Sequence, residues 1–314
     1  MHTNQALRLH AYGGPEVLQL DDVPVPTPGA GQVLVRVKAA GVNGLDWKIR
    51  DGLVRDVFQL PLPAVLGIEL AGEVVAAGSG AARFQIGDRV MGSLGGLGAY
   101  ADFVAVDEAK LCRTPVELTD VEAAALPVAT LTAWQVLRAA GELRPGRQIL
   151  IHGAAGGVGG FAVQFAKAAG ATVFATASGA SRAHVLALGA DVVVDRFAER
   201  FEDRVGGIDL VIDLVGGETL DRSWGLLVSE GAIVSTAAPD VAQRAPAGRR
   251  GVWFMMRPDA TQLGQIAAAV VAGRLKSTVA DVTGRAGLAD AIERNKRGHA
   301  PGKLVLDLTG GSPS

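Results

Sequence analysis

Short apolar runs broken by glycine and proline fill the first third of the chain, and apolar strands alternating with helical-period segments fill most of the rest. The runs VLVRVKAAGVN, ELAGEVVAAG and DRVMG are separated by DDVPVPTPGAGQ and PLPAVLG, so turn chemistry recurs at strand spacing. This predicts a compact, barrel-like β domain over residues 1–120. From residue 121 the period changes, and the alternation argues for βαβ units on a doubly wound parallel sheet, an α/β fold, over residues 121–256. Strands are expected at 148–152, 172–176, 191–195, 208–213, 232–235 and 252–255, with helices between them such as 158–169. Residues 257–314 add expected helices at 261–272 and 286–297 and a last strand at 303–308, a tail read as closing back onto the first domain.

The chain has 314 residues, 49% of them hydrophobic, which suffices for two domains with cores of their own. Thirty Lys and Arg against 32 Asp and Glu leave a formal charge of −2, without the basic excess of a nucleic-acid binder. A small, weakly charged ligand fits better. Cys112 is the single cysteine, so neither an intrachain disulfide nor a thiolate-rich metal site can form, and it is read as a small apolar filler. The start, MHTNQALRLH, has no apolar core of signal-peptide length, and no stretch reaches the roughly 18 apolar residues of a membrane span. The expectation is a cytoplasmic protein without a membrane partner.

The sharpest motif is QILIHGAAGGVGGFAVQFAKAAGA, a strand running into a glycine-rich turn and an amphipathic helix. That context is what a dinucleotide fingerprint requires. Aligned with G-x-G-x-x-G, the positions are Ala154, Gly156 and Gly159, with alanine in place of the first glycine. Gly156 would let the backbone approach a pyrophosphate, Gly159 would let helix and strand pack closely, and Ala155, Gly157 and Val158 complete the turn whose amides face the anion. His152, just before the turn, is expected to pack rather than catalyse. After the second strand, an NAD site would place a carboxylate on the adenosine ribose; here stand Thr176, Ala177 and Ser178, with Arg182 four residues beyond Ser178. The missing carboxylate and a guanidinium able to pair with a 2′-phosphate predict NADP(H), with an ordinary surface arginine as the alternative.

With these residues in hand, the chain resembles the zinc-independent quinone oxidoreductase branch of the medium-chain dehydrogenase/reductase superfamily. The matching segments are AAGVNGLDWKIRDG, VLGIELAGEVVAAGSGAARFQIGDRVMG, GAYADFVAV, HGAAGGVG with LGADVVVD, IDLVIDLVGGETL and APGKLVLDL. The resemblance implies a GroES-like β-rich catalytic domain, an inserted Rossmann domain, and a nicotinamide in the cleft between them. It also implies no zinc site, since Asn43 and Ile68 stand where zinc-containing relatives have cysteine and histidine ligands. By the same resemblance Asn43 lies near the nicotinamide, where it either holds a substrate oxygen or only fixes its own loop. Thr130 resembles the threonine near the cofactor phosphates, or is a helix-start residue. Val215 and Gly216, then Thr236 and Ala237, follow sheet strands at their carboxyl ends, where nucleotides bind. Phe254 and Met255 wall the nicotinamide or pack in the core, and Lys303 is either the cleft lysine or a solvated one. Asp46 is read as orienting its loop.

The implied chemistry is hydride delivery from NADPH to a quinone or another conjugated carbonyl compound, with Asn43 or Lys48 stabilising the developing oxyanion and Lys48 or water giving the proton. The family tyrosine matching Lys48 is absent. Competing readings are a trans-2-enoyl thioester reductase and an NADPH-binding protein without turnover. A homodimer is expected through the apolar edge GVWFMMR.

Overall fold

The computed structural model describes residues 3–298 and 301–310. The chain divides into two compact units, one made of the residues up to Val128 together with those from Pro258 onward, the other of Ala129–Arg257. The first boundary falls at Val128 rather than residue 120 because a short helix, α2, packs on the strands of the first unit.

The first unit opens with β1 (Thr3–Leu9), β2 (Leu18–Pro24), β3 (Gln32–Val42), helix α1 (Gly44–Arg50), β4 (Ala64–Val65), β5 (Glu69–Ala77), β6 (Arg89–Ser93), β7 (Phe103–Asp107), β8 (Leu111–Arg113) and α2 (Asp120–Ala124). A three-stranded sheet runs β2-β1-β4. The larger sheet is organised around β3, the longest of these strands, whose first half lies between β5 and β7. Two register shifts against β5 bend it, as bulges do in a closing barrel. Its branched residues Val33, Val35, Val37 and Val42 line a single core with Leu70, Val74, Val90 and Leu111. Within β1, Asn4 and Ala6 are buried between more exposed neighbours, the alternation of a strand with one face on the core.

The second unit follows helix α3 (Pro127–Val136) with β9 (Gln148–His152), α4 (Gly157–Ala168), β10 (Thr172–Ala177), α5 (Arg182–Ala187), β11 (Val192–Asp195), β12 (Ile208–Asp213), α6 (Gly217–Ser223), β13 (Leu227–Ser235) and β14 (Arg250–Trp253). The six strands are parallel in the order β11-β10-β9-β12-β13-β14. That order is doubly wound, reversing between β9 and β12, and ligands in such sheets bind beyond the carboxyl ends at the reversal. Leu150, Val211, Ile233 and Trp224 belong to the core on one side of the sheet. Strand β14 ends two residues before the expected 255, so Phe254 and Met255 lie beyond it. The register is held by Gly251, whose hydrogen lets the strand lie against the backbone of Val241; a Cβ would come within 2.6 Å of the Val241 carbonyl carbon.

The first unit is completed by α7 (Ala260–Val271), β15 (Val279–Thr283), α8 (Leu288–Arg297) and β16 (Lys303–Asp307). Strand β16 runs parallel to β15 and antiparallel to the second half of β3. Helix α8 presses Leu288, Ala291 and Ile292, one turn apart, into the same core.

Candidate functional site

The glycine turn between β9 and α4 has the shape a dinucleotide needs. Gly153 takes φ of 74° at its start, so the left-handed residue of the turn precedes Ala154. Ala154 is instead fully buried, its N–H donating to Thr176 O at 3.2 Å. A Cβ on Gly159 would lie 2.6 Å from Ala154 Cα and collide with the Gly153 carbonyl, which makes this glycine necessary for close packing of helix on strand. Gly156 is different: a Cβ there would meet only Gly153 O, at 3.4 Å. It is the N-cap of a 12-residue helix that no side chain caps, leaving the first-turn amides from Gly157 and Val158 for an anion. Ala155, Gly156, Gly157 and Val158 are all half-buried, at the rim of the unit. On α3, Thr130 is buried and its hydroxyl has no hydrogen-bond partner, an uncommon state that a bound polar group would relieve.

The end of β10 departs from expectation. Ser178 follows the strand, its hydroxyl 3.0 Å from that of Ser181. Arg182 is turned to the neighbouring strand, where Nε and Nη2 donate to Val193 O at 3.2 and 2.5 Å and Nη2 pairs with Glu199 at 3.1 Å. A carboxylate also stands here after all: Asp195, at the end of β11, lies against Gly179 so closely that a Cβ would collide with its Oδ2. The reading of β10 alone missed it because the group comes from the adjacent strand. Only the Nη1 edge of Arg182, on a side chain 44% exposed, is turned to neither Val193 nor Glu199.

Beyond β12 and β13 the predicted residues do come together. Val215 N–H donates to Asp213 Oδ1, Thr236 N–H to Asp213 O, and Ala237 N–H to Ser235 Oγ. Gly216, at φ 79°, brings its loop so near the next that a Cβ would lie 3.0 Å from that of Ala237. Phe254 is half-buried, its N–H bonded to Ser235 O at 2.9 Å, and Met255 is 49% exposed. His152 is buried as expected, 2.9 Å from Thr176 Oγ1 and 2.8 Å from Ser223 Oγ. Since the Ser223 hydroxyl donates to Thr219 O at 2.7 Å, Nε2 carries the ring proton and Nδ1 accepts from Thr176. Burial pushes the His152 pKa down to about 4, so the ring is neutral across the physiological range.

In the first unit, the sequence of α1 writes its own start. Asn43 is the N-cap, Asp46 at the third helical position accepts the Asn43 N–H at 2.7 Å, and Lys48 and Arg50 lie in the last turn. The Asn43 side chain is 2.8 Å from Glu69 Oε1, 3.1 Å from Gly41 O and 2.7 Å from Lys303 Nζ. An ammonium only donates and a carboxylate only accepts, which fixes the amide with Nδ2 toward Glu69 and Oδ1 toward Lys303. Both amide hydrogens are therefore committed, the arrangement of a residue that fixes its own loop. Lys303 is committed likewise. Its three N–H groups go to Val42 O at 3.0 Å, Asn43 Oδ1, and Glu69 Oε1 at 2.6 Å, in a side chain 6% exposed, so none remains for a cofactor.

Glu69, which sequence reasoning did not single out, is the centre of this cluster. Fully buried, it gives Oε2 to the N–H of Val128 at 2.6 Å, in the first turn of α3. Gly41 makes room: a Cβ there would sit 2.6 Å from the Glu69 carboxyl carbon. Beside it Tyr100 donates to Asp46 Oδ2 at 2.6 Å, while Asp46 Oδ1 is buried without a partner. Burial above all pushes the Asp46 pKa up to about 6. Lys48 lies elsewhere, half-buried with its ammonium 5.7 Å from the centre of the Trp47 ring. Cys112 is half-buried on β8 with its thiol pushed up to about 12, chiefly by burial, which leaves it unreactive. Among the described residues no group of three or more His, Cys, Asp or Glu has the arrangement of a metal site.

A mostly antiparallel, barrel-like unit and a doubly wound nucleotide-type sheet in one chain are the architecture of two-unit dehydrogenases. The family models agree: the alcohol dehydrogenase GroES-like domain matches residues 29–116 and the zinc-binding dehydrogenase model matches residues 188–306. A quinone oxidoreductase from Pseudomonas aeruginosa is 40% identical over 237 residues, 73% of this chain and 72% of that one. A 2-haloacrylate reductase from a Burkholderia species is 34% identical over 80% of this chain and 79% of its own. Among solved structures, the quinone oxidoreductase of Coxiella burnetii superposes with a TM-score of 0.93 at 34% identity, over 98% of this chain and 100% of that one. The Escherichia coli quinone oxidoreductase complexed with NADPH gives 0.87 at 28% identity over 96% and 99%. An NAD-dependent alcohol dehydrogenase gives 0.85 at 32% over 97% and 99%, and the CurK enoyl reductase 0.87 at 27% over 98% and 99%. The chain belongs to the quinone oxidoreductase branch of the medium-chain dehydrogenase/reductase superfamily.

Proposed function

We propose that the protein is an NADPH-dependent oxidoreductase that reduces quinones or α,β-unsaturated carbonyl compounds without zinc. The observation that carries this reading is the β9–α4 turn, with Gly156 open toward the rim and the first-turn amides of α4 uncapped. In it the amides of Ala155 to Val158 hold the pyrophosphate, Thr130 gives its unpaired hydroxyl to the cofactor, and the loops at Val215, Thr236, Ala237, Phe254 and Met255 receive the nicotinamide half. Ser178 and the Nη1 edge of Arg182 hold the 2′-phosphate, and NADPH in the E. coli relative supports that choice over NADH. The nicotinamide supplies a hydride to the electrophilic carbon of the acceptor. With both Asn43 amide hydrogens engaged, Lys48 is the residue proposed to supply the proton, water being its rival.

Zinc independence rests on charge. Asn43 Oδ1 and Glu69 Oε1 are already taken up by the Lys303 ammonium at 2.7 and 2.6 Å, so a divalent ion binding there would have to displace that cation. The single cysteine and the absence of any helix long and apolar enough to cross a membrane, among the described residues, suit a cytoplasmic enzyme. We include a homodimer in the proposal because β14 is the terminal strand of its sheet, with Trp253 39% exposed.

The conjugated-acceptor class is supported by the 2-haloacrylate reductase relative, and the likeness to an enoyl reductase favours a trans-2-enoyl thioester as the second reading. Monitoring NADPH and NADH oxidation with a 1,4-quinone, a 2-alkenal, an enoyl thioester and a simple ketone separates these, and exhaustive chelation of the same samples tests the metal. Turnover of the ketone alone, or activity lost with a stoichiometric zinc, would overturn the proposal.

A further inference from the structure

Four residues on the central strands of the parallel sheet lie in one register row at its carboxyl rim: Thr176 on β10 pairs with His152 on β9, His152 with Asp213 on β12, and Asp213 with Ser235 on β13. All four are polar and buried, none more than 4% exposed. Residues in parallel register share a face, and a polar row in the middle of a sheet is costly unless every member is bonded. Here each is. Thr176 donates to His152 and His152 to Ser223, as derived above, while Ser235 Oγ donates to Asp213 Oδ2 at 2.6 Å.

The Asp213 end of the row does more than satisfy itself. Asp213 Oδ1 accepts the N–H groups of Val215 and Gly216, at 3.1 and 2.8 Å, and Ser235 Oγ accepts those of Ala237 and Ala238, both at 3.0 Å. Two side chains thus take four successive-loop amides, two from the loop after β12 and two from the loop after β13. The backbone of Asp213 ties the loops together by accepting Thr236 N–H at 3.0 Å. With those N–H groups turned inward, the loops offer acceptors to whatever docks over them. The β9–α4 turn offers donors instead. Donors suit a pyrophosphate, and acceptors suit ribose hydroxyls and a carboxamide NH2.

We propose that Asp213 and Ser235 are positioning residues for the dinucleotide, holding the two loops in the shape that receives its nicotinamide half. The inference rests on the cofactor reading given above. In a doubly wound sheet the strands on the β10 side carry the adenosine half and those on the β12 side the other, so the pair acts on one half of the ligand only.

That asymmetry supplies the test. NADPH and adenosine 2′,5′-bisphosphate, which has no nicotinamide, are each titrated into wild type, Ser235→Ala, Ser235→Thr and Asp213→Asn by fluorescence, with far-UV circular dichroism and a melting curve on every sample. Ser235→Ala, the mildest change, is expected to weaken NADPH roughly tenfold while the bisphosphate stays within about twofold of wild type. Ser235→Thr keeps the hydroxyl and restores NADPH binding. Asp213→Asn is expected to share the pattern of Ser235→Ala, and the serine variants decide the matter should the asparagine variant melt early. Wild-type NADPH affinity in Ser235→Ala, or equal losses of both ligands, overturns the positioning role. Failure of wild type to bind either ligand overturns the cofactor reading beneath it, and does so before any variant is compared.

Discussion

Replacing Lys303 with methionine isolates the most consequential interaction of the first unit. The ammonium is one of two N–H donors on Glu69 Oε1, the other being Asn43 Nδ2, and Glu69 is fully buried. Lys303→Met keeps the aliphatic length and removes the charge, so Glu69 loses its counter-ion without a gross change in volume. Breaking one side of a buried pair costs about 3–5 kcal/mol. The loss expected at pH 7 falls in that range. The double variant Lys303→Met/Glu69→Gln carries no stranded charge, and its deficit should be smaller. Urea titration, followed by circular dichroism and by Trp47, which packs beside this core, measures all three proteins. A loss under about 1 kcal/mol at pH 7, or a double variant that loses as much as the single one, would refute the account of Lys303 as structural. So would a single variant that melts normally yet fails to bind NADPH.

Three further outcomes are expected. His152, lowered from 6.5 to about 4, binds its proton more readily unfolded than folded, so its contribution to stability is present above pH 6.5 and lost as pH falls toward 4, by about 1.4 kcal/mol per unit within that window; Asp46, raised from 3.8 to about 6, has the opposite sign, its contribution being present below 3.8 and lost as pH rises through 6. Melting temperatures of wild type and His152→Gln should converge as pH drops through the histidine window, and a constant gap would show that His152 does not titrate there. Arg182→Ala should weaken NADPH by roughly 1.5–3 kcal/mol and leave NADH nearly unchanged; equal effects on both, read by titration, would mean that Arg182 serves only Val193 and Glu199. Lys48→Met should lower turnover more than it weakens NADPH binding if the lysine gives the proton, whereas Asn43→Ala should chiefly lower the melting temperature by stripping a partner from Glu69 and Lys303; steady-state kinetics beside melting curves distinguish the two.

What the sequence disclosed follows the range of each interaction. Strand and helix periods are local, so β9, β12, α4 and α7 fall within a residue of their expected limits, and the turn at Gly156 and Gly159 is legible because its geometry is written in seven consecutive residues. The first glycine of the pattern is an alanine here, and the positive φ of the turn falls one place earlier, on Gly153. Long-range pairs left no such trace. Lys303 lies 234 positions from Glu69 and 260 from Asn43, and a lysine in APGKLVLDL looks the same whether it greets a cofactor or a buried carboxylate. Asp195 was invisible as a neighbour of the β10 end for a related reason: strand order, which places β11 beside β10, is a property of the folded sheet. Spacing did hold one unused signal. Glu69 stands within VLGIELAGEVV, an apolar run in which an acid at a buried position must have a partner.

The return of β16 to the side of β3 imposes an order on synthesis. The parallel sheet draws all six strands from residues 148–253, so everything it needs leaves the ribosome in one stretch. The barrel has to wait. When its first 128 residues have emerged, the second half of β3 has no partner on the side that β16 takes, and Glu69 has no positive charge to meet it. The nascent chain thus holds an open strand edge and an uncompensated acid through the making of the whole nucleotide-type unit. Both faults are mended together, when the segment beginning at Lys303 arrives with the missing edge strand and the missing cation on the same few residues.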